Sequence, residues 1–169
     1  MRLLIYGFGP YRQFKDNVTE KILRQFPRRT GLKKIIFPVR FHKSQFIHAI
    51  KDHKPDVILG LGQCSRGRGL RIERQAVNKR RNEKSDEPRP IIPGGAPRLR
   101  TNLKLALGGR SSNNAGEYVC NYSMYVMLDF IKRRHLPICY GFVHIPHRYD
   151  DKKAHRLLAA AISKMEAAR

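Results

Sequence analysis

The chain has 169 residues, 41% of them hydrophobic, enough for one sizeable core and short for two domains, so a single domain over residues 1–169 is expected. No apolar run reaches the ~18 residues of a membrane span, and the opening "MRLLIYGFGP" meets a Gly/Pro turn without the apolar core of an export signal, which excludes a membrane role and points to the cytoplasm. Thirty-five Lys and Arg against 13 Asp and Glu give a formal charge of +22, but the excess is spread through "RQFPRRTGLKK", "NKRRNEK", "PRLRTNLK" and "FIKRRH", as expected for incidental polyanion binding rather than a dedicated nucleic-acid groove.

In chain order, "RLLIYG" reads as a buried strand ended by the turn "GFGP". A helix follows over "DNVTEKILRQF", with Val18, Ile22, Leu23 and Phe26 at helical spacing behind Asp16 or Asn17 as N-cap. "KKIIFPV" is the next strand, "KSQFIHAIKDH" a helix with Phe46, Ile47 and Ile50 on one side, and "DVILGLG" a third, wholly apolar strand. Strands alternating with helices in this way predict a three-layer α/β/α fold with a mostly parallel central sheet.

The middle of the chain is less regular. "LRIERQAVN" reads as one strand, "KRRNEKSDEPRPIIPGGAPR" as a polar loop, "TNLKLAL" as a short helix and residues 115–135 as a long one, its apolar side formed by Val119, Tyr122, Val126, Met127 and Phe130. "PICYGFVHIP" is the last strand, and "KKAHRLLAAAISKMEAA" a closing amphipathic helix.

Open α/β sheets hold ligands outside the carboxyl ends of their strands, which draws attention to "GFGPY", "GQCSRGRG", "NNAGEYVC" and "HIPH". Cys120, about one turn into the long helix, sits where unpaired backbone N–H groups lower a thiol pKa. His144, ending an apolar strand, is the histidine best placed to move protons for it, and Glu73, beside Ile72, is an acid able to orient an imidazolium. Taken singly, each has a plainer reading: a small buried thiol, a satisfied core histidine and an exposed strand glutamate. Cys64, Cys120 and Cys139 are an odd number with no C-x-x-C pair, so neither a disulfide framework nor a zinc knot is expected. The pair His144 and His147 lacks an acidic or thiol partner at metal-ligand spacing, and "GLGQCSRGRG" lacks the spacing of a nucleotide loop.

"IERQAVN" at 72–78, "IIPGGAP" at 91–97, "NNAGEYVCNYSMY" at 113–125 and "GFVHIPH" at 141–147, with the opening "YGFGPYRQFKDNVTEKI", resemble the pyroglutamyl peptidase I family in order and character across most of the chain. The resemblance implies a phosphorylase/hydrolase-like α/β domain that removes an N-terminal pyroglutamyl residue from blocked peptides, needs no metal or organic cofactor, and assembles as a homotetramer. It implies Cys120, His144 and Glu73 as the catalytic residues, and Phe8, Tyr11, Asn17 and Gln63 around the substrate. The chain departs from the family at Tyr11, where phenylalanine is usual, in "RQF" at 12–14, where the family has Gly-Gly, and in "KRRNEKSDEPRP". This last stretch replaces a loop with an arginine near the site, and neither Arg80 nor Arg81 aligns closely enough to inherit its role. Two other functions fit the same residues less well: a thiol amidohydrolase acting on a different N-acyl or lactam substrate, and a catalytically weak basic scaffold for polyanions.

Overall fold

The computed structural model describes every residue except Arg12, Gln13, Arg66, Ala168 and Arg169, so the first two positions of the "RQF" departure lie outside the described residues. The first strand, β1 (Leu3–Phe8), is buried along its whole length, as its apolar run requires. After it come α1 (Val18–Gln25), β2 (Leu32–Phe37), α2 (Lys43–His53) and β3 (Val57–Cys64), each close to its predicted position. Asn17 is the N-cap of α1: its Oδ1 accepts the Thr19 N–H at 3.0 Å, satisfying a donor that the first helical turn leaves open.

From Leu70 onward the chain departs from the predicted pattern. "LRIERQAVN" breaks at Arg74 into β4 (Arg71–Glu73) and β5 (Gln75–Val77), which belong to different sheets. The break is held by the Arg74 N–H donating to Ser112 O at 2.7 Å and its carbonyl accepting from Thr101 N–H at 3.0 Å. The expected polar loop follows and leads to β6 (Arg98–Arg100), which pairs antiparallel with β5. "TNLKLAL" is not a helix. Leu103, Leu105 and Leu107 are buried while Asn102, Lys104 and Ala106 are exposed, the period-two pattern of extended chain. The stretch is clasped to the last strand by Asn102, whose Oδ1 accepts the Tyr140 N–H at 2.7 Å. Next come β7 (Arg110–Ser112), α3 (Val119–Arg133), β8 (Cys139–Pro146) and α4 (Asp151–Ala167).

The main sheet has the order β2-β1-β3-β8-β4-β7, with every pairing parallel except β8 with β4. Alternation along the strands divides the core between its two faces. Leu4, Tyr6, Phe8, Ile58, Tyr140 and Phe142 pack with α2 and α3 on one face. Leu3, Ile5, Leu59, Leu61, Val143 and Ile145 pack with α1 and α4 on the other. The result is a three-layer α/β/α architecture, and the carboxyl ends of β1, β3 and β8 share one rim. Among the described residues no helix is long and apolar enough to cross a membrane.

Candidate active site

The site is built from the middle of the sheet upward. Gly62 of β3 pairs in register with His144 of β8, so the two occupy equivalent positions on adjacent parallel strands. Phe142 and Gly60 precede them on the same face by the period-two rule, and the His144 ring meets the edge of Phe142 at 5.2 Å. Because Gly62 has no side chain, α3 comes close: a methyl placed there would lie 2.7 Å from Cys120 Sγ and 2.8 Å from the Phe142 ring. Cys120 is the second residue of α3, nearer its start than the sequence pattern implied, and the N-cap residue Tyr118 supplies no side-chain acceptor to the first-turn N–H groups.

Glu73 comes from β4, which runs antiparallel to β8. It lies opposite Phe142 and is fully buried, and its Oε1 lies 2.7 Å from His144 Nδ1. A carboxylate can only accept, so this contact puts the imidazole hydrogen on Nδ1 and leaves Nε2 as the proton acceptor. Arg71, two residues earlier on the same face of β4 and in register with His144, reaches Glu73 Oε1 with its Nε at 3.5 Å. Sequence reasoning did not single out Arg71, although the i, i+2 spacing to Glu73 was there to be read.

At Cys120 desolvation outweighs the lowering effect of the helix start. Burial pushes the thiol up to about 12, Cys64 and Glu73 push the same way, and Arg71 and the residue's own N–H only partly oppose them. The thiol is therefore protonated at neutral pH. No hydrogen bond joins Sγ to His144 among the described residues, a link often made only when substrate is seated.

Next to Cys120 lies a cavity of about 180 Å³. All of the substrate-side residues expected from the resemblance, Phe8, Tyr11, Asn17 and Gln63, line it, and Phe14 and Tyr118 complete an aromatic wall. Among the described residues the lining contains no charged side chain. Asn17 and Gln63 also hold the wall together: Asn17 Nδ2 donates to Gly9 O at 3.0 Å, and Gln63 Oε1 accepts the Val18 N–H at 2.8 Å. Of the two arginines in the altered loop, Arg80 lies over the Phe41 ring at 5.3 Å. Arg81 is ion-paired with Glu117 in the lead-in to α3.

Behind the site, sequence reasoning also missed Asn121 and a buried hydroxyl chain. Asn121 accepts the Val77 N–H and donates to Val77 O and Lys79 O, each at 2.9 Å, which pins the stretch after Glu73 to the helix carrying Cys120. Ser123 Oγ donates to Cys120 O at 2.8 Å and contacts Tyr6 OH at 3.0 Å, and Tyr6 OH contacts Tyr140 OH at 2.6 Å. Burial raises the pKa of both tyrosines, so this chain stays protonated beneath the site. Among the described residues no group of three or more His, Cys, Asp or Glu is arranged to hold a metal ion.

A thiol, an imidazole and a buried carboxylate at one rim of an α/β sheet are the parts of a cysteine hydrolase. The chain belongs to the pyroglutamyl peptidase family, whose model matches residues 1–156. It is 30% identical over 169 aligned positions to the pyrrolidone-carboxylate peptidase of Pyrococcus furiosus, covering 87% of this chain and 81% of the relative. It is 29% identical to pyrrolidone-carboxylate peptidase 2 of Caldanaerobacter subterraneus, covering 87% of this chain and 82% of the relative. Among solved structures, a mutant pyrrolidone carboxyl peptidase of P. furiosus superposes with a TM-score of 0.82 at 25% identity, covering 96% of this chain and 97% of that one. The pyrrolidone carboxyl peptidase of Thermococcus litoralis shares the fold with a TM-score of 0.78 at 21% identity, covering 99% of this chain and 96% of that one.

Proposed function

We propose that this chain is a cysteine peptidase that removes the N-terminal pyroglutamyl residue from blocked peptides, with Cys120 as nucleophile, His144 as proton carrier and Glu73 as the group that orients it. One observation carries the substrate assignment: in a chain of charge +22, the cavity beside Cys120 is lined among the described residues by aromatic, aliphatic and uncharged polar side chains, with no charged one. A pyroglutamyl group is a small, neutral, flat ring with no ammonium, and such a cavity accepts it while penalising the charged N-terminus of an ordinary peptide.

Since the Cys120 thiol is protonated at rest, attack and deprotonation go together. His144 Nε2 takes the Sγ proton as sulfur adds to the pyroglutamyl carbonyl carbon, and Glu73 stabilises the imidazolium through Nδ1–H. The oxygen of the tetrahedral intermediate gains its charge beside the first-turn N–H groups of α3, which the N-cap side chain leaves available. Collapse breaks the C–N bond, His144 returns the proton to the departing amine, and a thioester remains. Water, deprotonated by His144, then attacks the thioester and releases pyroglutamate and the thiol.

Residues 1–169 act in this reading as one unit, in a reducing cytoplasm that suits three cysteines carried as thiols, and as a homo-oligomer whose size sedimentation measures. The test of the activity is hydrolysis of a pyroglutamyl fluorogenic amide by wild type and Cys120→Ser, with prolyl and glutamyl amides as controls. Turnover confined to the pyroglutamyl substrate and lost in Cys120→Ser is the expected result. Equal turnover of the three amides would favour a broader thiol amidohydrolase, and none at all would leave the basic scaffold.

A further inference from the structure

A larger cavity, of about 720 Å³, lies at the opposite rim of the sheet from Cys120. β1, β3 and β8 are neighbouring parallel strands, so the residues that lead into them meet at one edge: Arg2 before β1, Pro55 and Asp56 before β3, Pro137 and Ile138 before β8. Backbone hydrogen bonds fasten these lead-ins together, Asp56 N–H donating to Arg2 O at 2.8 Å and Cys139 N–H to Asp56 O at 3.0 Å. The carboxyl ends of α2 and α3 close the sides.

The lining holds only two kinds of side chain. Ile50, Pro55, Phe130, Leu136, Pro137 and Ile138 form an apolar floor. The rest are charged, and no uncharged hydrogen-bonding side chain is among them. The single acid, Asp56, is already engaged, accepting the Arg2 backbone N–H at 2.7 Å and Arg2 Nη2–H at 3.1 Å. Lys51, Lys54 and Arg134 enter none of the ion pairs among the described residues, and Arg134 lies over the Phe130 ring, 6.0 Å from its centre. Basic residues at helix ends ordinarily do no more than offset the negative end of the helix dipole. Here the three flank an apolar floor, in a cavity within the ~300–1,000 Å³ range of small-molecule sites.

We propose that this cavity binds a medium-chain fatty acid, with its alkyl chain on the apolar floor and its carboxylate at the rim formed by Lys51, Lys54 and Arg134. The lining selects this class of ligand. A sugar, a nucleotide or a peptide segment would give up hydrogen bonds to water that the floor cannot replace. An alkyl carboxylate carries its polar atoms at one end, where the cations stand, and its chain gains from burial. The site is independent of the peptidase reading, because it lies at the other end of the strands and contains none of the residues assigned to catalysis.

Calorimetric titration of the whole chain tests this, with decanoate, hexanoate, decyltrimethylammonium and inorganic phosphate as probes. Decanoate is expected to saturate at one per chain and to bind about ten-fold more tightly than hexanoate, through its additional methylenes. Decyltrimethylammonium has the chain without the negative charge and phosphate the charge without the chain, so each is expected to bind at least about ten-fold more weakly than decanoate. Lys54→Gln and Arg134→Gln, both at exposed positions, are expected to weaken decanoate binding by about three-fold each. Leu136→Glu, which sets a carboxylate on the floor, is expected to weaken it by more than about ten-fold, with circular dichroism reporting that the variant is folded. No saturable decanoate binding, equally tight binding of phosphate or of the ammonium probe, or decanoate binding that none of the three variants alters would each overturn the proposal.

Discussion

Cys120 Sγ occupies the space that a side chain on Gly62 would fill, 2.7 Å from where a methyl would stand. The site therefore depends on a strand residue with no side chain as much as on the residues that react. Adding that methyl also drives it into the Phe142 ring, so neither the nucleophile nor the surface beneath His144 keeps its place. Gly62→Ala is expected to destabilise the fold by ~1–3 kcal/mol, the range for overpacking a filled core. Pyroglutamyl amide turnover is expected to fall more steeply than the folded fraction does. Denaturant unfolding and activity on the same preparation separate the two losses.

Glu73 and Arg71 act on the Cys120 thiol in opposite directions, the carboxylate raising its pKa and the guanidinium lowering it. Glu73→Gln is therefore expected to speed substrate-free alkylation of Cys120 by iodoacetamide at mildly alkaline pH, while cutting turnover roughly 10²–10⁴-fold by loosening His144. Arg71→Met is expected to slow the same alkylation, modestly because the arginine is partly exposed to solvent. Mass spectrometry of the Cys120 peptide reads the rates apart from those of Cys64 and Cys139. If alkylation and turnover fell together in Glu73→Gln, the two proposed roles of Glu73, electrostatic and orienting, would not be separable.

What the sequence made legible follows from how each element is buried. β1, β3 and β8 are covered on both faces, so they read as unbroken apolar runs, and the order of strands and helices led directly to the α/β class. β6 and β7 are three residues each, "RLR" and "RSS", too short and polar to carry a pattern. The stretch 101–107 shows a pattern misread: leucines at every second position mark extended chain, and a helix needs three- and four-residue steps. In the candidate site, Cys120, His144 and Glu73 stood out because each lies in a distinctive local motif. The protonation of the thiol was not legible, because it depends on how deeply α3 settles onto Gly62, a contact 58 positions away in sequence. The balance of charge around Arg81 was hidden for the same reason, since Glu117 becomes its partner only in the fold.

Asn121 links the two halves of the site without lining the cavity beside Cys120. Its amide accepts one backbone hydrogen bond and donates two to the 77–79 stretch, and it is fully buried. Asn121→Ala leaves those backbone groups without their partner, at an expected cost of ~1–3 kcal/mol. At ~2–4 °C per kcal/mol for a chain of this size, Tm is expected to fall by roughly 2–12 °C. Asn121→Asp keeps the acceptor for the Val77 N–H but loses both donors, so it should fall short of rescue. A variant as stable as wild type would mean that the 77–79 stretch is held by its other contacts alone.

The partly buried Cys120 thiol also ties stability to pH. Folding raises the Cys120 pKa to about 12, above the ~8.5 of an exposed cysteine, so the folded state binds the proton more tightly than the unfolded chain. The contribution of this group is complete below pH ~8.5 and declines as pH rises from there toward about 12, because the unfolded chain can ionise the thiol and the folded chain resists doing so. Tyr6 and Tyr140, raised in the same direction by burial, add an alkaline decline that does not depend on Cys120 being present. Cys120→Ala is therefore expected to flatten the loss of stability between roughly pH 9 and pH 11 without abolishing it, whatever its effect at neutral pH. Urea midpoints across that range read the slope directly. Equal slopes for wild type and variant would show that the thiol ionises as readily in the fold as in water, and attack by a preformed thiolate would then replace the coupled proton transfer to His144.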